Sequence, residues 1–120
     1  MDELTPEQLD VLRAALLALR DGLRETLLLS REAARPVELD QQAIGRVSRI
    51  DAIQQQKMVE ANRQRARVRM NQADAALRAM DDGEYGCCRK CDEPIEFRRL
   101  QARPETTICV ECQEEMERAR

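Results

Sequence analysis

Residues 83–117 read GEYGCCRKCDEPIEFRRLQARPETTICVECQEEME. Within this stretch Cys88-x2-Cys91 is followed, after seventeen residues, by Cys109-x2-Cys112. Two intervening residues let the chain turn so that both sulfurs of a pair face one point at about 2.3 Å, and a second pair completes a tetrahedral shell. The pattern predicts one structural zinc ion held by Cys88, Cys91, Cys109 and Cys112. Two symmetric knuckles argue against an iron–sulfur cluster, whose cysteines usually come in a run. Two disulfides are the other alternative, but no secretory segment is legible, and short cytosolic chains with this spacing bind metal more often than they cross-link. Four thiolates leave no coordination position for water, so the metal is expected to hold the fold and do no chemistry. Cys87 is the fifth cysteine; it points away from its neighbour and reads as a free thiol beside the site ahead of a substitute ligand or redox switch.

The rest of the chain is expected to grow out of this knot as helices. With 120 residues, one Phe, one Tyr and no Trp, a large globular core is not expected. Charged residues make up 36% of the chain, as in long solvated helices that meet along narrow apolar seams. A net charge of −3, from 23 acids and 20 bases, argues against a protein whose main task is neutralising phosphates. Histidine is absent, which removes the commonest general base and the commonest alternative zinc ligand. With no activated nucleophile, acid–base pair or open metal site, an enzyme is not expected. The most apolar run, Ala14 to Leu19, gives way at once to Arg20 and Asp21, too short and too charged for a bilayer; a cytoplasmic protein is expected.

Thr5-Pro6-Glu7-Gln8 reads as a helix start, with Thr5 as cap, Pro6 in the first turn and Gln8 closing a capping box. Leu9, Leu12, Leu16, Leu19, Leu23 and Leu27 then form a seam, in a helix expected to end near Ala34 because Pro36 follows. Arg35 to Asp40 is a short connection that turns the chain back on itself. Asp40 is the candidate cap of a second helix, expected from Gln41 to about Asp82 and on the order of 63 Å long, against 43 Å for the first. Its expected seam is Ile44, Val47, Ile50, Met58, Ala61, Val68, Ala73, Leu77 and Met80, interrupted by Gln54 and Arg65. Its last turns, outrunning helix one, are expected to be covered by Ile95, Phe97 and Leu100 and by a C-terminal helix with Cys112, Met116 and Ala119 on one face. The fold class is therefore all-α: a long antiparallel coiled-coil hairpin over residues 1–82 with its tip at 35–40, and a four-cysteine zinc-finger module with a short C-terminal helix over residues 83–120. Arg63, Arg65, Arg67 and Arg69 alternate, which scatters them around a helix axis; solvated, ion-paired arginines are the default against a phosphate or acidic partner. The acids Glu32, Glu38 and Asp40 are by default those of a solvated turn.

These residues resemble the DksA/TraR zinc-finger family. The resemblance is carried by Asn62-Arg63-x-Arg65, by Asp82-Gly83-Glu84-Tyr85-Gly86-x-Cys88-x2-Cys91, by Ile95-x3-Arg99-Leu100-x-Ala102-Arg103-Pro104 and by Cys109-x2-Cys112. The first half matches only in plan. The resemblance implies a monomer that binds bacterial RNA polymerase without catalysis, its hairpin entering the secondary channel and its zinc module resting on the rim to modulate open promoter complexes. It implies a tip role for Glu38 and Asp40, although the family's Asp-x-x-Asp-x-Ala tip is incomplete here, and polymerase contacts for Asn62 and Arg65. Arg103 matches a position that contacts the alarmone ppGpp, while two lysine positions are Gln72 and Gln113, so weak or absent ppGpp dependence is expected. The family's glycine after the second cysteine is Asp92. No direct sequence-specific DNA binding and no membrane partner are expected. Two other readings stay open: a zinc-stapled nucleic-acid binder using Arg63 to Arg69 with Arg98, Arg99 and Arg103, and a thiol-based stress sensor that loses zinc when Cys87 and the ligands are oxidised.

Overall fold

The computed structural model describes residues 4–31 and 46–119. Four helices follow in order: α1 Pro6–Leu29, α2 Arg46–Asp81, α3 Phe97–Ala102 and α4 Val110–Arg118. The extended pairing among the described residues is one isolated antiparallel bridge between Cys87 and Pro94. The all-α hairpin with a four-cysteine module at its root is thus the observed architecture, in a molecule 66 Å long and 20 Å thin.

α1 begins as its sequence dictates. Thr5 Oγ1 accepts from the Gln8 amide at 3.1 Å, and Gln8 Oε1 accepts from the Thr5 amide at 3.0 Å, closing the capping box around Pro6. The helix stops at Leu29, earlier than the expected Ala34, with Ser30 as its C-cap. A partner explains the early stop: Nη1 of Arg63, on α2, donates to the Leu27 carbonyl and to Ser30 Oγ, each at 2.5 Å. The last turn of α1 holds no base of its own, so Arg63 supplies the cation that a helix C-terminus favours. The expected start of helix two at Gln41, its cap Asp40, Ile44 and the tip at 35–40 lie outside the described residues.

The helices run antiparallel, with Arg13 of α1 meeting Asp81 of α2 at 3.1 Å at the root and Arg63 meeting the end of α1 farther out. α1 presents the expected leucines: Leu12 and Leu16 are buried, and Leu9, Leu19, Leu23 and Leu27 are half-buried. The seam of α2 differs from the one expected. Ala52, Gln56, Val59, Arg63, Ala66, Met70, Ala73, Leu77 and Met80 are buried or half-buried, at alternating spacings of four and three. Val47, Ile50, Met58 and Val68 are 71%, 49%, 65% and 45% exposed, and Gln54, Ala61 and Arg65 are exposed with them. Among the described residues of the expected seam, Ala73, Leu77 and Met80 hold. Two residues along a helix is a rotation of about 200°, so Val47 and Arg49 belong to nearly opposite faces. The larger apolar side chains drew the expected seam onto the outer face, while alanines on the inner face receive the leucines of α1.

Asp82 and Gly83 end α2 in a Schellman motif, the Glu84 amide donating to Ala79 O at 2.8 Å and the Gly83 amide to Met80 O at 3.2 Å. Gly83 has φ +74, a left-handed conformation that a Cβ disfavours, and this turns the chain into the zinc module. The module was expected to cover the last turns of helix two. It does so at Met80, which packs against the cluster holding Ile95, Leu100 and Cys112, and α1 shares the cover: Leu16 packs with Ala73, Ala76 and Leu77, while Leu12 joins Cys88, Ile95, Leu100 and Cys112 in a second buried cluster. α3, which the sequence reading did not anticipate, packs against α1. Met80 and Tyr85 touch both clusters and bind hairpin to module.

Candidate metal centre

The four expected ligands converge. One sulfur from each of Cys88, Cys91, Cys109 and Cys112 lies within 4.8 Å of all the others. Cys91 Sγ and Cys109 Sγ are 3.7 Å apart. A tetrahedron with metal–sulfur bonds of about 2.3 Å has edges of about 3.8 Å, so the cluster already has the size of a zinc shell. Four thiols with no carboxylate or imidazole among them suit zinc in a closed, structural role. The cofactor is one structural zinc ion.

Each knuckle is built by local backbone bonds. In the first, the Asp92 amide donates to Cys88 O at 2.9 Å, the Cys88 amide to Glu93 O at 2.8 Å, and the Lys90 amide points at Cys88 Sγ, 3.3 Å away. Asp92 has φ +62, the conformation a glycine adopts most easily and one that Asp tolerates better than most residues. In the second, Cys109 is the N-cap of α4 and Cys112 sits in its first turn, where the free amides and the helix dipole favour thiolates. The Arg89 amide donates to Thr107 O at 2.9 Å and ties the knuckles together. The protons of the apo cluster are unevenly held. Burial works against ionising Cys88, yet the backbone amides of Cys109, Cys91 and Lys90 hold its pKa down to about 6. Cys112 is pushed far above an ordinary thiol, first by hydrogen bonding with Cys109 and then by burial. Four crowded thiols do not all ionise unaided; a divalent cation among them makes them do so. Cys87 stands outside the cluster, exposed, with its backbone in the bridge to Pro94.

The other expected site residues occupy two places. Asn62 and Arg65 are exposed neighbours on the outer face of α2, where Arg65 Nη2 donates to Asn62 Oδ1. Arg103 is the C-cap of α3 and shares a cleft of about 220 Å³ with Gln72 and Gln113. Glu38 and Asp40 lie outside the described residues. The alternating arginines scatter as expected: Arg63 caps α1, Arg65 bonds Asn62, Arg67 bonds Gln64 at 3.3 Å and Arg69 pairs with Glu105 at 2.9 Å. The sequence reading missed the Arg63 cap and Glu105. Arg63 lies on the three-and-four spacing of Ala66 and Met70, the signal that would have placed it inward; Glu105, in a turn, has no periodicity to betray its burial.

Comparisons with known proteins agree with this geometry. Residues 83–118 match the family model of the prokaryotic dksA/traR C4-type zinc finger. The RNA polymerase-binding transcription factor DksA of Caulobacter vibrioides is 48% identical over 56 residues, which are 47% of this chain and 39% of that protein. That of Haemophilus influenzae is 41% identical over 51 residues, 42% of this chain and 35% of that protein. The matches thus span about two-fifths of those relatives' lengths. In three dimensions the chain resembles transcription factor DksA2 of Pseudomonas aeruginosa with a TM-score of 0.73 and 27% identity, over 95% of this chain and 86% of that one. The transcriptional regulator Dks of Chlamydia trachomatis shares the fold at a TM-score of 0.55 and 23% identity, over 98% of this chain and 95% of that one.

Proposed function

We propose, from the match of residues 83–118 to the dksA/traR C4-type zinc finger and the likeness of the fold to DksA2, that the chain is a DksA/TraR-type transcription regulator that binds RNA polymerase, its hairpin entering the secondary channel and its zinc module resting outside. One observation carries the reading: the fold of a DksA-type transcription factor extends over 95% of the chain, hairpin included, and not over the zinc finger alone. Physical form supports it. A two-helix rod on a zinc-held base suits a narrow channel, because heptad pairing stiffens it and the closed metal site adds no chemistry. Asn62 and Arg65, exposed on the outer face of α2, are the proposed polymerase contacts, Glu38 and Asp40 the proposed tip acids, and ppGpp a weak or absent co-ligand. The nucleic-acid reading loses its footing, because the arginines at 63 to 69 point in different directions and two are drawn to α1 and Glu105.

Affinity capture with purified RNA polymerase tests the proposal. Wild type should bind, and Asn62→Ala combined with Arg65→Ala should weaken binding at least tenfold. Glu38→Gln with Asp40→Asn should leave capture in place and abolish the effect on open-complex lifetime in transcription from a ribosomal promoter. Absence of binding by the zinc-loaded wild type would reject polymerase as the partner.

A further inference from the structure

The outer face of α2 carries apolar side chains that no other described residue covers. Val47, Ile50, Met58, Ala61 and Val68 are all exposed, on the side of the helix turned away from α1. At about 100° per residue they fall within an arc of about 80°, and at about 1.5 Å per residue they extend over about 30 Å. A continuous stripe of this kind marks an interaction surface, whereas single exposed apolar residues do not. Gln54 and Arg65 interrupt it, as polar residues do in helical seams whose register they fix.

What fits the stripe is its own reverse. Asp51 and Arg65 are exposed on one flank, and Lys57 and Glu60 on the other. Asp51 and Lys57 have no ion pair among the described residues. With a second copy laid antiparallel along the stripe about a two-fold axis beside Met58, Ile50 faces the second copy's Val68 and Met58 faces its own counterpart. On the flanks, Asp51 faces the second copy's Arg65 and Lys57 faces its Glu60. The midpoints of these pairs coincide to within one residue, and the two-fold axis makes each unlike pair occur twice. A parallel pairing would instead set Asp51 on Asp51 and Arg65 on Arg65, like charge against like. We infer that the outer face of α2 is a self-association surface on which two copies of this chain pair antiparallel, with their zinc modules at opposite ends. Asn62 and Arg65 lie within the paired face, so a paired chain cannot offer them to RNA polymerase. That consequence rests on the proposed function; the pairing itself does not.

Sedimentation equilibrium of the full, zinc-loaded chain, from about 1 µM to about 500 µM, tests the inference. Wild type should pass from monomer to dimer across that range. Asp51→Arg should weaken association about tenfold or more, because two attractive pairs become repulsive ones. Adding Arg65→Asp to it should restore association, since each pair is then present with its charges exchanged, and added salt should narrow the difference between the single variant and wild type. Both positions are exposed, so zinc content and helical signal should stay those of wild type. Three results overturn the inference: a wild type that stays monomeric to the top of the range, which leaves the face to a different occupant; an Asp51→Arg chain that associates as tightly as wild type; or a charge-exchanged chain that associates no better than Asp51→Arg alone.

Discussion

Asp92 follows the second ligand of the first knuckle with φ +62, its amide donating to Cys88 O at 2.9 Å. Left-handed backbone costs most L residues about 1–2 kcal/mol, and Asp somewhat less because its short polar side chain finds local partners. Asp92→Gly should therefore stabilise the zinc-loaded protein by about 0.5–1 kcal/mol, and Asp92→Val should destabilise it by more than about 1 kcal/mol. Urea titration with zinc in excess measures both. A glycine variant no more stable than wild type would mean that the Asp92 side chain makes a contribution of its own to the knuckle. At this scale the sequence was readable for residues whose chemistry is local: four cysteines at ligand spacing, a Thr–Gln capping box, a glycine after a helix. It was silent on Glu105, because that carboxylate's hydrogen-bond partner is Arg69, 36 residues away in the chain.

The helices show where pattern reading succeeds and where it inverts. The seam of α1 was legible because every one of its positions is a leucine. The seam of α2 was not, because alanine, glutamine and arginine share its inner positions with Val59, Met70, Leu77 and Met80, while Val47, Ile50, Met58 and Val68 stand outside. A leucine row filling the space between two helices leaves the facing positions little room, so small residues sit there and apolar bulk ceases to mark the buried side. Arg63 is the sharpest case: it lies on the inner face and spends its charge on the last turn of α1, bonding Leu27 O and Ser30 Oγ at 2.5 Å. Arg63→Met keeps most of the stem and removes the donors, and should cost about 1–2 kcal/mol, the usual worth of charge-assisted hydrogen bonds at a helix end. The loss should be local. Amide exchange of Ser30 and Arg31, whose amides bond Thr26 O and Leu28 O, should quicken by more than that of Leu12 or Leu16 at the root. Uniform quickening along α1 would show that Arg63 supports the hairpin as a whole and does not act as a cap.

For the whole molecule the question is how far the zinc ion's influence reaches. Two of its ligands, Cys88 and Cys112, are members of the buried cluster that also holds Leu12 of α1, so metal and hairpin share a core. Structural zinc contributes on the order of 10 kcal/mol or more to small domains, comparable with the entire stability of a chain this size. What remains without it is a seam of leucines facing largely small residues, and helices in proteins draw most of their stability from such packing and little from propensity. α3 and α4 hold 6 and 9 residues against 24 and 36 in α1 and α2, so a loss confined to the module would remove only about one fifth of the helical signal. Chelation of zinc at neutral pH is expected to remove well more than that fifth, measured by far-ultraviolet circular dichroism, and to leave a broad thermal transition in place of a sharp one. Acid should do the same: the four sulfurs bind zinc as thiolates, so falling pH protonates them in competition with the metal, and stability gained from zinc is present above that protonation range and lost below it. Restoring zinc at neutral pH should return the full signal. A chelated chain that keeps four-fifths of its helicity and melts sharply would show instead that the hairpin stands alone and the metal orders only the module at its root.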